Sequence, residues 1–152
     1  PAWQFGRPVR FTHEIATGLA ARGYQVNVGT TSCGAPAEAN TDVMTRVVDG
    51  VTVSYCPWSR RLFGLMSPVM QDVARHCSTQ AAVAHVTGVW RPSGKRVYTD
   101  LNARKVPYVI SLWGDLSQYS FHRGRLKQSF IFYLLERGVA NRAAALDATA
   151  PL

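Results

Sequence analysis

Four places in this chain carry side chains that could do chemistry, and each has a plainer reading beside it. The first is Gly6-Arg7-Pro8. A glycine just before a helix lets backbone N–H groups approach a phosphate or a sugar hydroxyl, and the helix dipole favours an anion there. Arg7 would add charge. Alternatively, Gly6 only turns the chain into the helix. The second place is His85, at the carboxyl end of a short apolar strand. It could contact a ligand or rest as a satisfied core histidine. The third is Trp113-Gly114-Asp115, again after a strand. The indole could stack on the apolar C–H face of a pyranose or simply pack the end of a sheet. The fourth is the stretch Arg125–Arg142, which mixes Arg125, Lys127, Arg137 and Arg142 with Phe130, Ile131, Phe132 and Tyr133. It suits an acidic membrane surface, or a core-facing helix with a solvated basic face.

Other chemistries lack their signatures. The three cysteines, Cys33, Cys56 and Cys77, are far apart and show neither a C-x-x-C pair nor a histidine at metal spacing. They read as reduced thiols of a cytoplasmic protein rather than a zinc site or a disulfide framework, and no metal site is expected. There is no G-x-G-x-x-G after a strand and no G-x-x-x-x-G-K-[ST], which disfavours a dinucleotide dehydrogenase or a P-loop enzyme. A nucleophile elbow and H-E-x-x-H are also missing. Seventeen Lys and Arg against nine Asp and Glu give a formal charge of +8. That excess favours phosphates, acidic lipids or nucleic acid as partners. Nucleic acid is the weakest of these, because no aromatic RNA-binding strand, helix-turn-helix or dense Lys/Arg run is found. The densest apolar run, Phe130–Leu135, is too short to cross a bilayer. No signal-peptide pattern follows Pro1.

The elements that must position these residues follow from periodicity. Pro8 suits a first helical turn, and Val9, Thr12, Ala16, Leu19 and Gly23 recur at helical spacing, with Gly23 placed to end the helix. Tyr24–Thr30 alternates as a strand. Asp49-Gly50 between Val43–Val48 and Val51–Cys56 predicts a tight hairpin. Ser67-Pro68 opens a helix to about Thr79. Ala82–Val86 is a short strand, Pro92–Arg104 a helix, and Pro107–Ser111 a strand expected to be buried on both faces from Tyr108, Val109 and Ile110. A helix over Arg125–Arg142 and a strand from Ala144 to Thr149 close the pattern. Strands alternating with helices predict a doubly wound α/β domain, with Tyr24–Val28, Ala82–Val86, Tyr108–Ser111 and Ala145–Thr149 in one mainly parallel sheet. Such sheets bind ligands beyond the carboxyl ends of their strands.

The order of the pieces resembles family 4 (group 1) glycosyltransferases. Gly6-Arg7-Pro8 followed by Leu19-Ala20-Ala21-Arg22-Gly23-Tyr24-Gln25-Val26-Asn27-Val28 is similar to that family's G-G-P, helix, L-A-x-R-G-H-E-V-x-V opening. Ala84-His85-Val86-Thr87-Gly88-Val89-Trp90 resembles its "vHvhG-W" strand end, and Val106-Pro107-Tyr108-Val109-Ile110-Ser111-Leu112-Trp113-Gly114 its "vPyvvs-x-H-G". Arg125-Leu126-Lys127, Leu134-Leu135-Glu136-Arg137 and Asn141-Arg142-Ala143-Ala144-Ala145-Leu146 match its later helix and strand. The resemblance covers nearly the whole chain. It implies residues 1–152 as the N-terminal, acceptor-side domain of a GT-B enzyme, with a first strand before Pro1 and a donor domain after Leu152.

The resemblance further implies metal-independent, retaining transfer of a sugar from a nucleotide sugar, a co-substrate rather than a cofactor. The acceptor would be a saccharide or a lipid-linked saccharide, and the setting cytoplasmic or peripheral at the inner membrane face. Gly6, His85 and Gly114 match the family by position. Arg7 stands where the family has a second glycine, and Trp113 where it has a histidine. These five are the expected substrate-binding residues, with no catalytic residue named. Two alternatives stand beside this: an inactive relative, and a basic α/β module binding anionic membrane or nucleic acid.

Overall fold

The computed structural model describes residues 3–34, 41–61, 64–67, 69–87, 92–113 and 137–148. The chain divides into two compact units, Pro1–Cys77 and Ser78–Leu152.

In the first unit a single 3-10 turn, Trp3–Phe5, leads into helix α1 (Arg7–Ala20). Pro8 stands in its first turn, where a missing N–H costs nothing. The helix ends in a Schellman motif. The Tyr24 N–H donates to the Leu19 carbonyl at 3.2 Å and the Gly23 N–H to that of Ala20 at 2.9 Å, with Gly23 left-handed at φ 86°. Because Tyr24 spends its N–H on the helix, the strand expected from that residue starts later. Strand β1 is Asn27–Thr31. It pairs in parallel with β3 (Val51–Cys56), which pairs antiparallel with β2 (Met44–Val48). The β2–β3 hairpin is the one that Asp49-Gly50 predicts, with Val48 opposite Val51. Both loop residues have positive φ, 51° and 78°, the requirement of a type I′ turn.

That turn lies beside α1. Asp49 Oδ2 is 3.2 Å from His13 Nε2, and a Cβ added to Gly50 would sit 3.6 Å from that of Ala20. Helix α2 (Met70–Ser78) approaches β1 at Gly29, where a Cβ would meet Val73 Cγ1 at 3.5 Å and Met70 Sδ at 3.6 Å. The helix begins at Met70 rather than at Ser67-Pro68, with the Val69 carbonyl taking the first N–H groups, those of Asp72 and Val73. A short antiparallel ladder, β4 (Ser59–Arg61) with β5 (Gly64–Met66), is not foreseen by the sequence pattern.

The second unit is built from β6 (Ala84–Thr87), α3 (Pro92–Ala103), β7 (Tyr108–Ser111), a four-residue helix α4 (Arg137–Ala140) and β8 (Ala145–Asp147). The three strands form a parallel sheet in chain order, with β7 in the middle. Tyr98 and Leu101 of α3, Val106, Val139 of α4, and Tyr108, Ile110 and Leu112 make its core, with Ala84 and Val86 packed against them. Alternation along a strand therefore commits one sheet face to this core. His85, Thr87, Val109, Ser111 and Asp147 belong to the opposite face. The β7 strand is buried on both faces as expected, with Ser111 wholly and Val109 partly buried on the second.

The architecture is α/β with mixed and parallel sheets, consistent with a Rossmann-like domain. The four strands expected in one sheet are instead divided. Among the described residues β1 belongs to the mixed sheet, and β6, β7 and β8 to the parallel one. Periodicity reveals a strand but carries no information about its neighbour, so the pairing could not follow from the pattern. The second strand begins at Ala84, whose N–H donates to the Pro107 carbonyl at 2.9 Å, and not at Ala82. Of the helix expected over Arg125–Arg142, the described part is α4, with a turn at Asn141 and Arg142. Residues 114–136, with Gly114 and most of the basic-aromatic stretch, lie outside the described residues. No described helix is long and apolar enough to cross a membrane.

Candidate functional site

Pairing in the parallel sheet places Thr87, Ser111 and Asp147 in one row across β6, β7 and β8. His85 stands two residues back from Thr87 on the same face, diagonal to Ser111 and within reach of its side chain. The result is a continuous polar chain over three strands. The Ser111 hydroxyl donates to Asp147 Oδ2 at 2.7 Å. His85 Nε2 lies 2.7 Å from the Ser111 Oγ. Ser111 is wholly buried, so its hydroxyl needs both partners. His85 keeps part of its ring in solvent. Burial of the remainder lowers its pKa below 6.5, with the charge of Asp147 acting in the other direction.

The same strand end delivers Trp113. The Leu112 N–H donates to the Asp147 carbonyl at 3.0 Å, extending the β7–β8 ladder one residue past Ser111. Beyond it Trp113 has φ 30°, a left-handed conformation that is rare for a bulky residue and recurrent at functional sites. The turn leaves the indole half-buried.

The other expected site residues stand in the first unit. Gly6 caps α1 with φ 75° and ψ −143°, and no side chain caps the helix start. This backbone geometry is open almost only to glycine. The Gly6 N–H is spent on the Trp3 carbonyl at 3.0 Å, and the Arg10 N–H reaches the Gly6 carbonyl at 3.4 Å. Pro8 has no N–H, so the first-turn donors left by the helix are those of Arg7 and Val9. The expectation that the Gly6 loop turns its N–H groups on a phosphate is thereby narrowed to these two. Arg7 is exposed. On the same helix, Arg10, His13 and Glu14 line an open depression with Trp3, and the Trp3 ring meets the His13 ring edge-on at 5.2 Å.

The structure therefore brings His85 and Trp113 to the carboxyl end of one parallel sheet, and sets Gly6 and Arg7 together at the start of α1. Sequence reasoning missed Ser111 and Asp147. Each is a small polar residue closing an otherwise apolar strand at its carboxyl end, and that was the available signal. Among the described residues no three His, Cys, Asp or Glu side chains gather as a metal site would require.

The model of a family described as the glycosyl transferase 4-like domain matches residues 8–151. The match takes in His85, Ser111, Trp113 and Asp147, and starts just after Gly6 and Arg7. No curated protein and no solved structure matches the chain.

Proposed function

The chain belongs to the glycosyl transferase 4-like domain family, and on that premise we propose that it forms the acceptor-side domain of a GT-B enzyme. The enzyme moves a sugar from a nucleotide sugar to a hydroxyl of a saccharide or lipid-linked saccharide. The bond between the anomeric carbon and the departing diphosphate oxygen breaks, and a bond to the acceptor oxygen forms. The acceptor hydroxyl gives its proton to the departing diphosphate oxygen, and the configuration at the anomeric carbon is retained. No metal is needed.

One observation carries this reading. His85, Ser111 and Asp147 are joined across β6, β7 and β8, and Trp113 follows two residues after the end of β7, at the place where parallel α/β sheets hold ligands. A histidine nitrogen and an indole face suit a sugar, which offers hydroxyls at its edge and apolar C–H groups on its face. Most of the rate enhancement would come from holding acceptor and donor in line and from stabilising the departing diphosphate. In this chain the start of α1, with the Arg7 and Val9 N–H groups and the Arg7 guanidinium, is the part suited to that negative charge.

The test is an assay of the full-length protein with a panel of uridine, guanosine and adenosine diphosphate sugars, each with saccharide and lipid-linked acceptors. Release of nucleoside diphosphate coupled to a new glycosidic product is the expected result. Native, folded protein that releases none with any pair would favour the inactive-relative alternative.

A further inference from the structure

Among the described residues other than glycine, φ is positive at Asp49, Lys105 and Trp113. Asp49 sits in the β2–β3 turn. Lys105 ends α3 in a Schellman motif, its N–H on the Asn102 carbonyl at 3.1 Å and the Val106 N–H on that of Leu101 at 3.0 Å. Trp113 instead follows a strand of the parallel sheet, and its φ of 30° is costly for so large a side chain. Such a conformation persists only where the surroundings fix it. Asp147 is the residue that holds the strand just before it. Its main-chain carbonyl takes the Leu112 N–H at 3.0 Å, and its carboxylate takes the Ser111 hydroxyl at 2.7 Å. Both residues gripped in this way lie deep in the unit, Ser111 wholly buried and Leu112 part of the core.

We propose that Asp147 is a positioning residue for Trp113. By holding Ser111 and Leu112 it fixes the origin from which the chain turns, and so the face that the indole presents to a saccharide. That the indole meets a sugar rests on the glycosyltransferase reading above; the hold of Asp147 on the turn does not. The two grips are separable. The carbonyl belongs to the ladder and survives a change of side chain, and the Ala144 N–H to Tyr108 carbonyl bond at 2.8 Å secures the ladder's other end. The second grip belongs to the carboxylate alone. Without it the buried Ser111 hydroxyl keeps only His85 Nε2, 2.7 Å away, and must turn its hydrogen from β8. The end of β7 is then tied to β8 by main chain only, and the strained residue beyond it is the first to relax. An amide oxygen in place of the carboxylate would still accept the Ser111 hydrogen.

The experiment is 19F NMR of the full-length protein carrying 5-fluorotryptophan, with two resonances identified by their loss in Trp113→Phe and Trp3→Phe. In Asp147→Ala the Trp113 resonance is expected to move or split while that of Trp3, in the other unit, stays in place. In Asp147→Asn it keeps to its wild-type position. Ser111→Ala removes the same bond from its other end and is expected to displace the Trp113 resonance too, which keeps the test open should Asp147→Ala fail to fold. A Trp113 resonance that stays in place in either folded alanine variant overturns the proposal. So does one displaced equally in Asp147→Asn and Asp147→Ala. Transfer assays add a double-mutant cycle. Asp147→Ala is expected to lower kcat/KM about tenfold in wild type and to cost little more in Trp113→Ala, because it acts through the indole. Equal effects in the two backgrounds overturn the positioning role. Wild type with the expected resonances but no transferase activity would sink the proposed function and leave the hold on Trp113 standing.

Discussion

The Tyr108 hydroxyl donates to the Val139 carbonyl at 2.8 Å, buried at both ends, and ties the middle strand of the parallel sheet to α4. Asn102 Nδ2 donates to the Tyr108 hydroxyl oxygen at 3.4 Å, and the Tyr98 ring packs 5.3 Å from that of Tyr108. Tyr108→Phe would keep the ring and remove the donor, leaving the Val139 carbonyl with the Arg142 N–H, 3.2 Å away. The expected cost is about 0.5–1.5 kcal/mol, that of one hydrogen bond. Urea melts of the two proteins check it, and equal midpoints would show that this bond adds nothing to stability.

Gly6 supplies a second test. Nothing lies within 4 Å of the place a Cβ would take, yet its φ of 75° disfavours any side chain. Gly6→Ala is expected to destabilise the protein by roughly 1–3 kcal/mol through backbone strain alone. A thermal melt measures it, with Gly23→Ala as a companion for the same effect at the end of α1. A wild-type melting temperature for Gly6→Ala would mean that the turn before the helix relaxes freely.

The thiols should differ in reactivity. Cys56 is fully buried, and burial, helped by the neighbouring Cys77 thiol, pushes its pKa up to about 11. Iodoacetamide at pH 8 should therefore modify Cys33 well before Cys56, since the thiolate is the nucleophile. Mass spectrometry of the tryptic peptides reports the order. The raised value also has a sign for stability. The unfolded thiol ionises near 9.0 while the folded one resists until about 11. Its contribution is thus complete below 9.0 and is lost as pH rises across that window.

His85 acts in the opposite sense. Its folded pKa lies below 6.5, so the unfolded chain takes up a proton first as pH falls. Stability linked to this ring is present above 6.5 and is lost as pH falls through the folded value. The slope of stability against pH below 6.5 should be smaller in His85→Gln than in wild type. Parallel curves for the two proteins would show that the ring titrates alike folded and unfolded.

Trp113 carries the prediction about turnover. If the indole face stacks on a sugar, Trp113→Ala should lower kcat/KM of the full-length enzyme about tenfold, near 1.4 kcal/mol of transition-state stabilisation. Trp113→His restores the side chain that the family pattern has there. An inert wild type in which Trp113→His gains activity would mean that the indole blocks the site, and unchanged rates in both variants would reduce it to packing.

What the sequence disclosed depended on how local each signal was. The Asp49-Gly50 turn and the Gly23 helix end each lie within a few residues of the groups that form them, and both appear where expected. The end of β1 nearest α1 did not, because Tyr24 suits a strand by type but spends its N–H on the helix. His85 and Trp113 could be marked from their places at strand ends. Ser111 and Asp147 share such places, but what links them is a register that joins residues 36 positions apart, and no stretch of sequence contains that alignment.

The order of strands in the two sheets also prescribes a sequence of events during folding. In the parallel sheet each strand lies beside the next in the chain, so it can grow one neighbour at a time as the polypeptide emerges. The mixed sheet cannot, because β1 pairs with β3 and must wait until β2 has passed. The two-residue loop lets the β2–β3 hairpin close first at small entropic cost. That hairpin then becomes the template on which β1 settles, and a defect in the Asp49-Gly50 turn would be felt first as delayed docking of β1.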